Sequence, residues 1–555
     1  MGLTDDLYIK MNSRGKPLTE FEYFKANFEK TIRDASSDQY LEFSHKIDNV
    51  WADLLWPLRG GDDIIDDEFM RYFRFVTDIL AYWRAMNVSA EVLDKDMDGG
   101  APLVYGARNP KWEANQRFLF DAFGRWIGIP IVSFFGSLFT EQGWKPGAVA
   151  IYDSVNLFEA CCRDYGKMEG RNRKFSLPRT LMLFAVLVHR VSNSSDFHRR
   201  IRTVRNLVFG SDNEIRLETF PALLADTSSI VETGSLETVG GYNAKQAEEE
   251  RNKSTLLSLH PELEEALFRL EDHSLNRGSV AAFELDAATF GRRAATFLEV
   301  FSEDDSVPLL EVSAALLACG DYSQRKSSNR FQFGTWKRKD VWRQLFTGTS
   351  SSDFSNTSSA LMRMLDAIGA AADGPIRTRL QGIVSAFVAE QVGASRFDWR
   401  YYLVNYDDMR VGDTGLYVVP EDGEMGFDLC MMRTQRMTGY YRDPFLYAIF
   451  KRSGAVVDVD VQDPWHTGYQ TVERWLTLIR SGVRLRCLPE GFVLSPPQDG
   501  ASGDGFAEVI KVHNVDAGLL LRIPQELKEG VLYDTQDRVQ IGAALVRDLV
   551  AMKPA

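Results

Sequence analysis

Gln246, Glu249, Glu250 and Lys253 recur at i, i+3, i+4 and i+7, so they share one face of a helix. Two carboxylates, a carboxamide and an ammonium gathered there could form a buried polar network or a metal-assisted site. The plainer reading is a solvated face with a Glu249–Lys253 pair worth roughly a few tenths of a kcal/mol. A structural role is the expectation. A second set is basic. It runs from Arg171-Asn-Arg-Lys174 through Arg179, Arg190, His198 and Arg200, and within it Arg199, Arg202 and Arg205 recur every three residues. Such a stripe could meet DNA phosphates, or it could face the chain's own carboxylates. Trp336, Lys337, Arg338, Lys339 and Trp342 form a smaller basic-aromatic patch with the same two readings. The third set is Asn12, Arg14, Gly15 and Lys25. The planar fork of Arg14 suits a nucleotide phosphate and Gly15 lets the backbone approach closely, although a plain surface turn would use the same residues.

Two weaker motifs fail on spacing. Asp94-Lys-Asp-Met-Asp-Gly99 matches the first half of a calcium loop, but Tyr105 stands where a bidentate Glu is required and Pro102 interrupts the loop. Glu508 and Lys511 are one residue too far apart for a nuclease E-x-K, and in a strand they would face opposite sides. No phosphate-binding G-x-x-x-x-G-K-[ST], no G-x-S-x-G and no Cys–His nucleophile pair is discernible, and no metal site is assigned.

The elements that must position these groups are mainly helical. Leu7 to Met11 reads as a buried strand, followed by a turn on Ser13-Arg14-Gly15 and a helix whose start is marked by a Thr19/Glu22 capping box. Phe21, Phe24, Phe28 and Ile32, then Phe69, Tyr72, Phe73, Val76 and Ile79, repeat at helical spacing. Asp94 to Trp112 reads as a polar loop, and helices continue to about residue 346. Thr347 to Ser359 is Ser-rich and reads as a flexible linker. After residue 397 come short β-like runs, including Tyr401–Val404, Gly415–Val419, Phe427–Met432, Val483–Leu488 and Leu519–Ile523. A lone strand needs partners for its backbone, so Leu7–Met11 suggests a sheet whose other strands lie upstream.

Composition narrows the class. A chain of 555 residues exceeds one core, and 45% hydrophobic with 26% charged residues is ordinary for a globular protein. The net charge of −14 argues against non-specific coating of nucleic acid, which is driven by Lys and Arg, but leaves room for a local basic patch. Five cysteines, none in a CxxC pair, give neither a disulfide framework nor a zinc signature, which points to the cytoplasm. The longest apolar runs fall short of the roughly 20 residues that cross a bilayer, so no membrane is expected.

Several phrases together resemble the GmrSD-type restriction-system family. Asn12-Ser-Arg-Gly15 with Leu18-Thr19, Glu22 and Lys25 resembles its late "N-x-R-G-x-x-L-T" strand-turn-helix element. Ile47-Asp-Asn-Val-Trp51, Trp56 and Asp66-Asp-Glu-Phe69 are similar to the helical segment after it. Gln246, Glu249, Glu250 and Lys253 resemble a "Q-x-x-E-E-x-x-K" phrase, and Leu270-Glu-Asp-His-Ser-Leu-Asn-Arg-Gly278 an "L-E-x-H-x-x-x-x-G" loop, which adds Glu271 and His273 to the polar cluster. The resemblance implies a ParB/sulfiredoxin-like N-terminal domain and a bacterial defence protein acting on foreign DNA. Complete members carry a "D-G-Q-Q-R" nucleotide-handling motif upstream and many carry a C-terminal HNH nuclease. This sequence has no Asp-Gly-Gln-Gln-Arg, and His466 and His513 are isolated.

The resulting expectation is a mainly α chain: a truncated ParB/sulfiredoxin-like remnant (1–35), a helical body (36–346), a linker with helices (347–396) and a small α+β module (397–555). Its role would be recognition or scaffolding in a DNA-directed anti-phage system, with DNA and a nuclease subunit as partners. It would hold no cofactor of its own, and NTP and Mg2+ would belong to an upstream domain. Three other readings stay open: a fragment of an NTP-dependent restriction endonuclease whose motif precedes Met1, an accessory interaction protein unrelated to DNA, and an unrecognised enzymatic site in the C-terminal module.

Overall fold

The structure, a computed structural model, describes residues 19–61, 64–84, 97–212, 214–371, 374–420, 423–434, 440–462, 466–467, 473–497 and 503–552. It is mostly helical and divides into two units. The first runs to Leu259 and takes in Glu271–His273 and Arg277–Ser279; the second holds His260–Leu270, Ser274–Asn276 and the chain from Val280 on. The expected opening strand lies outside the described residues. Among the described residues no helix is long and apolar enough to cross a membrane.

Unit 1 is built from α1 (Glu20–Ala35), α2 (Ser37–Ile47), α3 (Val50–Leu55), α4 (Asp66–Trp83), α5 (Met97–Tyr105), α6 (Trp112–Gly124), α7 (Ile131–Leu138), α8 (Leu157–Asp164), α9 (Leu177–Ser192), α10 (Phe197–Gly210), α11 (Phe220–Thr233) and α12 (Ala244–Leu259). Two short strand pairs interrupt them: parallel β1 (Phe139–Thr140) with β2 (Val149–Ala150), and the hairpin β3 (Met168–Glu169) with β4 (Asn172–Arg173). Helix α1 begins as the sequence marks it, with the Thr19 side chain accepting from the Glu22 N–H and Glu22 reaching back to the Thr19 N–H. The core centres on α4, whose Phe69, Tyr72, Phe73, Phe75, Val76, Ile79 and Leu80 are all fully buried. Phe24 and Phe28 each meet Phe73 edge-on at 4.8 Å, and Trp51 stacks on Phe123 at 4.4 Å. The buried Tyr72 hydroxyl is satisfied, since it donates to the Ala122 carbonyl and accepts from the Trp126 indole. The stretch read as a loop from Asp94 to Trp112 instead contains α5, with Pro102 inside it. The acidic positions 94–96 lie outside the described residues.

Unit 2 adds α13 (Glu264–Glu271, whose last residue belongs to unit 1), α14 (Phe290–Val300), α15 (Leu309–Cys319), α16 (Lys339–Thr347), α17 (Phe354–Ala370), α18 (Ile376–Ala394), α19 (Trp399–Asn405), α20 (Pro444–Ser453), α21 (Gly503–Val512) and α22 (Arg538–Ala551). A six-stranded antiparallel meander joins β5 (Gln324–Ser327), β6 (Arg330–Gln332), β7 (Leu416–Val418), β8 (Cys430–Met432), β9 (Tyr440–Arg442) and β10 (His466–Thr467). A four-stranded meander follows: β11 (Leu476–Thr477), β12 (Arg484–Leu488), β13 (Gly491–Ser495) and β14 (Leu520–Arg522). The hairpin β15 (Gln525–Lys528) with β16 (Val531–Asp534) completes the sheets.

Three expectations are corrected here. β5 and β6 lie within the stretch read as helical body, and the polar Gln-Arg-Lys-Ser of β5 suits an edge strand rather than a hydrophobic alternation. The Ser-rich segment leads directly into α17, which Thr357, Leu361, Met364, Leu365 and Ile368 anchor at helical spacing. Tyr401–Val404 is helical because the Asp398 side chain caps α19 by accepting from the Tyr401 N–H at 2.8 Å.

The C-terminal helix is pinned by one buried ion pair. Arg538 forks onto Asp534 at 2.6 and 2.9 Å, donates to the carbonyls of Leu488 and Pro489, and lies 3.7 Å over the Phe427 ring. Asp534 also accepts the Tyr402 hydroxyl at 2.8 Å. Arg538→Ala should therefore leave a buried carboxylate unpaired and destabilise unit 2 by about 3–5 kcal/mol. Denaturant unfolding reads this directly, and unchanged stability contradicts it.

Candidate functional site

Helix α10 buries charged and polar residues beside its apolar face: Ile201, Val204, Leu207 and Val208 are buried, and so are Arg202, Arg205 and Asn206. Helix α12 turns Gln246, Glu250 and Lys253 to the same interior, with Glu249 at its margin. The third contributor is the end of α13 and the residues after it, where Glu271, Asp272 and His273 are buried. That segment folds back on itself: the Gly278 N–H bonds the Glu271 carbonyl at 2.8 Å, and Gly278 sits at φ +95°. A side chain there would meet Asn206 Oδ1 at 2.6 Å, so glycine is required by both conformation and space.

Asp272 is the centre. Its two oxygens take a bidentate pair from Arg202 at 2.7 and 2.9 Å, and Oδ1 also accepts from Arg205 at 2.8 Å. The spare guanidinium N–H groups bond the Ala148 and Ala150 carbonyls at 2.9 and 2.8 Å, tying β2 to α10. Glu271 Oε1 accepts from Asn206 and from Lys253, each at 2.8 Å, while Lys253 also donates to the Gly278 carbonyl at 2.9 Å. Glu250 receives Lys253, Gln246 at 3.1 Å and Asn206 at 3.3 Å. Glu249 accepts the Ser279 hydroxyl at 2.9 Å.

Three cations (Arg202, Arg205, Lys253) thus face four carboxylates (Glu249, Glu250, Glu271, Asp272). Burial alone would push the Lys253 ammonium down, but Glu250, Glu271 and Glu249 outweigh it and hold it above its ordinary range. Burial would raise Glu271, yet Lys253, Arg202 and Arg205 bring it below the usual carboxylate range. Glu250 is the surplus acid. Burial, then the nearby charges of Glu271 and Glu249, push it up to about 8 against the pull of Lys253. One proton on Glu250 leaves three charges against three.

The polar cluster read from the sequence is therefore one assembled feature, with Lys253 linking Glu250 and Glu271. His273 is buried beside Asp272 in the chain, and its carbonyl accepts the Arg277 N–H at 3.0 Å. Asp272 and Asn206, which sequence reasoning missed, complete the cluster. Of the two readings of the arginine stripe, the one that faces the chain's own carboxylates holds for Arg202 and Arg205, which are 2% and 0% exposed and bound to Glu271 and Asp272. Arg199 is exposed, and a stripe of all three toward DNA is not formed. Apolar residues on both sides of Arg202 and Arg205 were the available signal. Of the nucleotide set, Asn12, Arg14 and Gly15 lie outside the described residues, and Lys25 forms an ion pair with Asp48. In the basic-aromatic patch Lys337 pairs with Asp413, Arg338 with Asp340 and Lys339 with Asp305. His513, isolated in sequence, meets Asp548 at 2.8 Å. Among the described residues no group of three or more His, Cys, Asp and Glu side chains is placed to hold a metal ion.

Neither protein-family models, nor curated proteins, nor solved structures give a match to this chain.

Removing Asp272 would strand two buried guanidinium groups. Asp272→Ala should cost about 3–5 kcal/mol in urea unfolding of unit 1, whereas marginal Glu249→Ala should cost about 1 or less. Equal small losses would show that the network is not holding the unit. A pH test isolates Glu250. Its folded value lies above the ordinary 4.5, so between these points the native state keeps a proton that the unfolded chain has released. Its contribution is full below about pH 4.5 and is lost as pH rises toward about 8. Glu250→Gln should flatten that decline in a series of melts, and an unaltered pH profile contradicts the assignment.

Proposed function

We propose that this chain is a recognition or scaffolding component of a DNA-directed, anti-phage restriction system of the GmrSD type. The observation that carries the reading is the meeting of two phrases on which the resemblance rests. Gln246-x-x-Glu-Glu-x-x-Lys253 and Leu270-Glu-x-His273 are separate in sequence, and Lys253 joins Glu271 at 2.8 Å inside one unit. Phrases that matched by accident would have no reason to converge on a shared ion network.

The same geometry favours scaffolding over catalysis for these residues. Each charged group is buried or nearly so and is bound to a partner of opposite sign, so the cluster fixes helices α10 and α12 rather than facing a substrate. Strand cleavage in such a system would belong to a partner nuclease subunit. The N-terminal ParB/sulfiredoxin-like assignment belongs to this proposal, since its quoted residues before Thr19 lie outside the described residues.

Phage challenge tests the reading. Co-expression of the chain with the genes that flank it should lower plaque formation, and omitting the chain should abolish protection. The purified chain alone should neither cleave plasmid DNA nor hydrolyse NTP. Undiminished plating in the presence of the full set, or robust turnover by the chain alone, contradicts the proposal.

A further inference from the structure

With Arg202 and Arg205 turned inward, the basic region read from the sequence is left with a different exposed element. The β3–β4 hairpin spans Met168–Glu169 and Asn172–Arg173, joined by the two-residue loop Gly170-Arg171. Gly170 sits at φ +62°, the first central position of a type II′ turn, so the loop is tight and the ribbon is held in register. Lys167, Arg171 and Lys174 are exposed, and among the described residues none of them carries an ion pair. Nearby cations are not available in this way: Arg163 is paired with Asp164, and Arg179 with Asp153.

The register adds a second observation. Met168 opposes Arg173 and Glu169 opposes Asn172, and the Lys174 N–H bonds the Lys167 carbonyl at 2.9 Å. Lys167 and Lys174 are therefore directly cross-strand, two ammonium groups on the same face. Like charges placed so are destabilising. The chain carries net charge −14, yet among the described residues no carboxylate forms an ion pair with either lysine, including Glu169, two residues from Lys167 on the same face. A polyanion would relieve it.

We propose that this hairpin, through Lys167, Arg171 and Lys174, grips the phosphate backbone of duplex DNA. The inference rests on the DNA-directed reading above and names the element that touches the duplex. A two-stranded ribbon fits the major groove, and its cations replace condensed counterions along the strands. The surrounding negative charge repels DNA elsewhere, so the hairpin also sets the orientation of approach.

Fluorescence anisotropy on the full chain with a short duplex, titrated with salt, tests this. The triple variant Lys167→Ala, Arg171→Ala, Lys174→Ala is compared with a control that changes three exposed cations of unit 2, Arg396, Lys511 and Arg547, to Ala. Both should melt like the native protein. The expected result is weaker binding by the hairpin variant alone, with a slope of log affinity against log salt shallower by about 1 for each cation removed. Identical curves for native and hairpin variant overturn the inference and leave the DNA-directed reading standing. An equal loss in the control overturns it as bulk charge. A native chain that ignores DNA at low salt fells both readings. Tighter binding to single-stranded RNA or to anionic lipid vesicles than to the duplex overturns the choice of DNA.

Discussion

The buried carboxylate of Asp272, shared between Arg202 and Arg205, is the constraint on which unit 1 depends. Taking ions out of water costs several kcal/mol each, and attraction offsets that cost only when geometry is good and the remaining donors are satisfied. Here the contact geometry is good and the terminal N–H groups are met, although the buried Arg205 Nε–H has no acceptor among the described residues. The bidentate contact fixes the Arg202 plane, and the spare N–H groups of both arginines end on the Ala148 and Ala150 carbonyls. The consequence is positional: α10, β2 and the Glu271–Gly278 turn can adopt only one mutual arrangement without leaving a charge stranded.

Lys253 extends the same logic to α12. It bridges Glu250 and Glu271 and reaches the Gly278 carbonyl, so a residue that joins the two phrases also ties a helix to a turn. The surplus carboxylate gives the network a graded character. A proton on Glu250 balances the charge, and losing it adds a buried negative charge next to Glu271. Unit 2 repeats the device in simpler form, with Arg538 and Asp534 fully buried and tied to Tyr402. In both units a guanidinium–carboxylate pair stands where chain segments distant in sequence must meet.

Local signals in the sequence were legible. The Thr19/Glu22 cap and the aromatic period of Phe69 to Ile79 are carried within a few residues and survive into the structure. So does the one-faced arrangement of Gln246, Glu250 and Lys253. What was not legible depends on distance or on context. Asp272 lies 67 and 70 residues from its arginines, and nothing local marks it as their acceptor. The three-residue spacing of Arg199, Arg202 and Arg205 reads as a basic stripe until the buried Ile201, Val204 and Leu207 beside them are given weight. β5 is polar because it is an edge strand, and a polar edge carries no alternating pattern. Tyr401 to Val404 has β-favouring residues, but the Asp398 cap and burial override that preference.

The most direct measurement is a double-mutant cycle on Arg205→Met and Asp272→Leu, with unit 1 unfolding followed in urea. A shared buried charge pair predicts that the two changes together cost far less than the sum of the singles, with a coupling of about 2–3 kcal/mol. Additive losses, within about 0.5 kcal/mol, would mean that the two groups do not sense each other, and the proposed centre of the fold would be wrong.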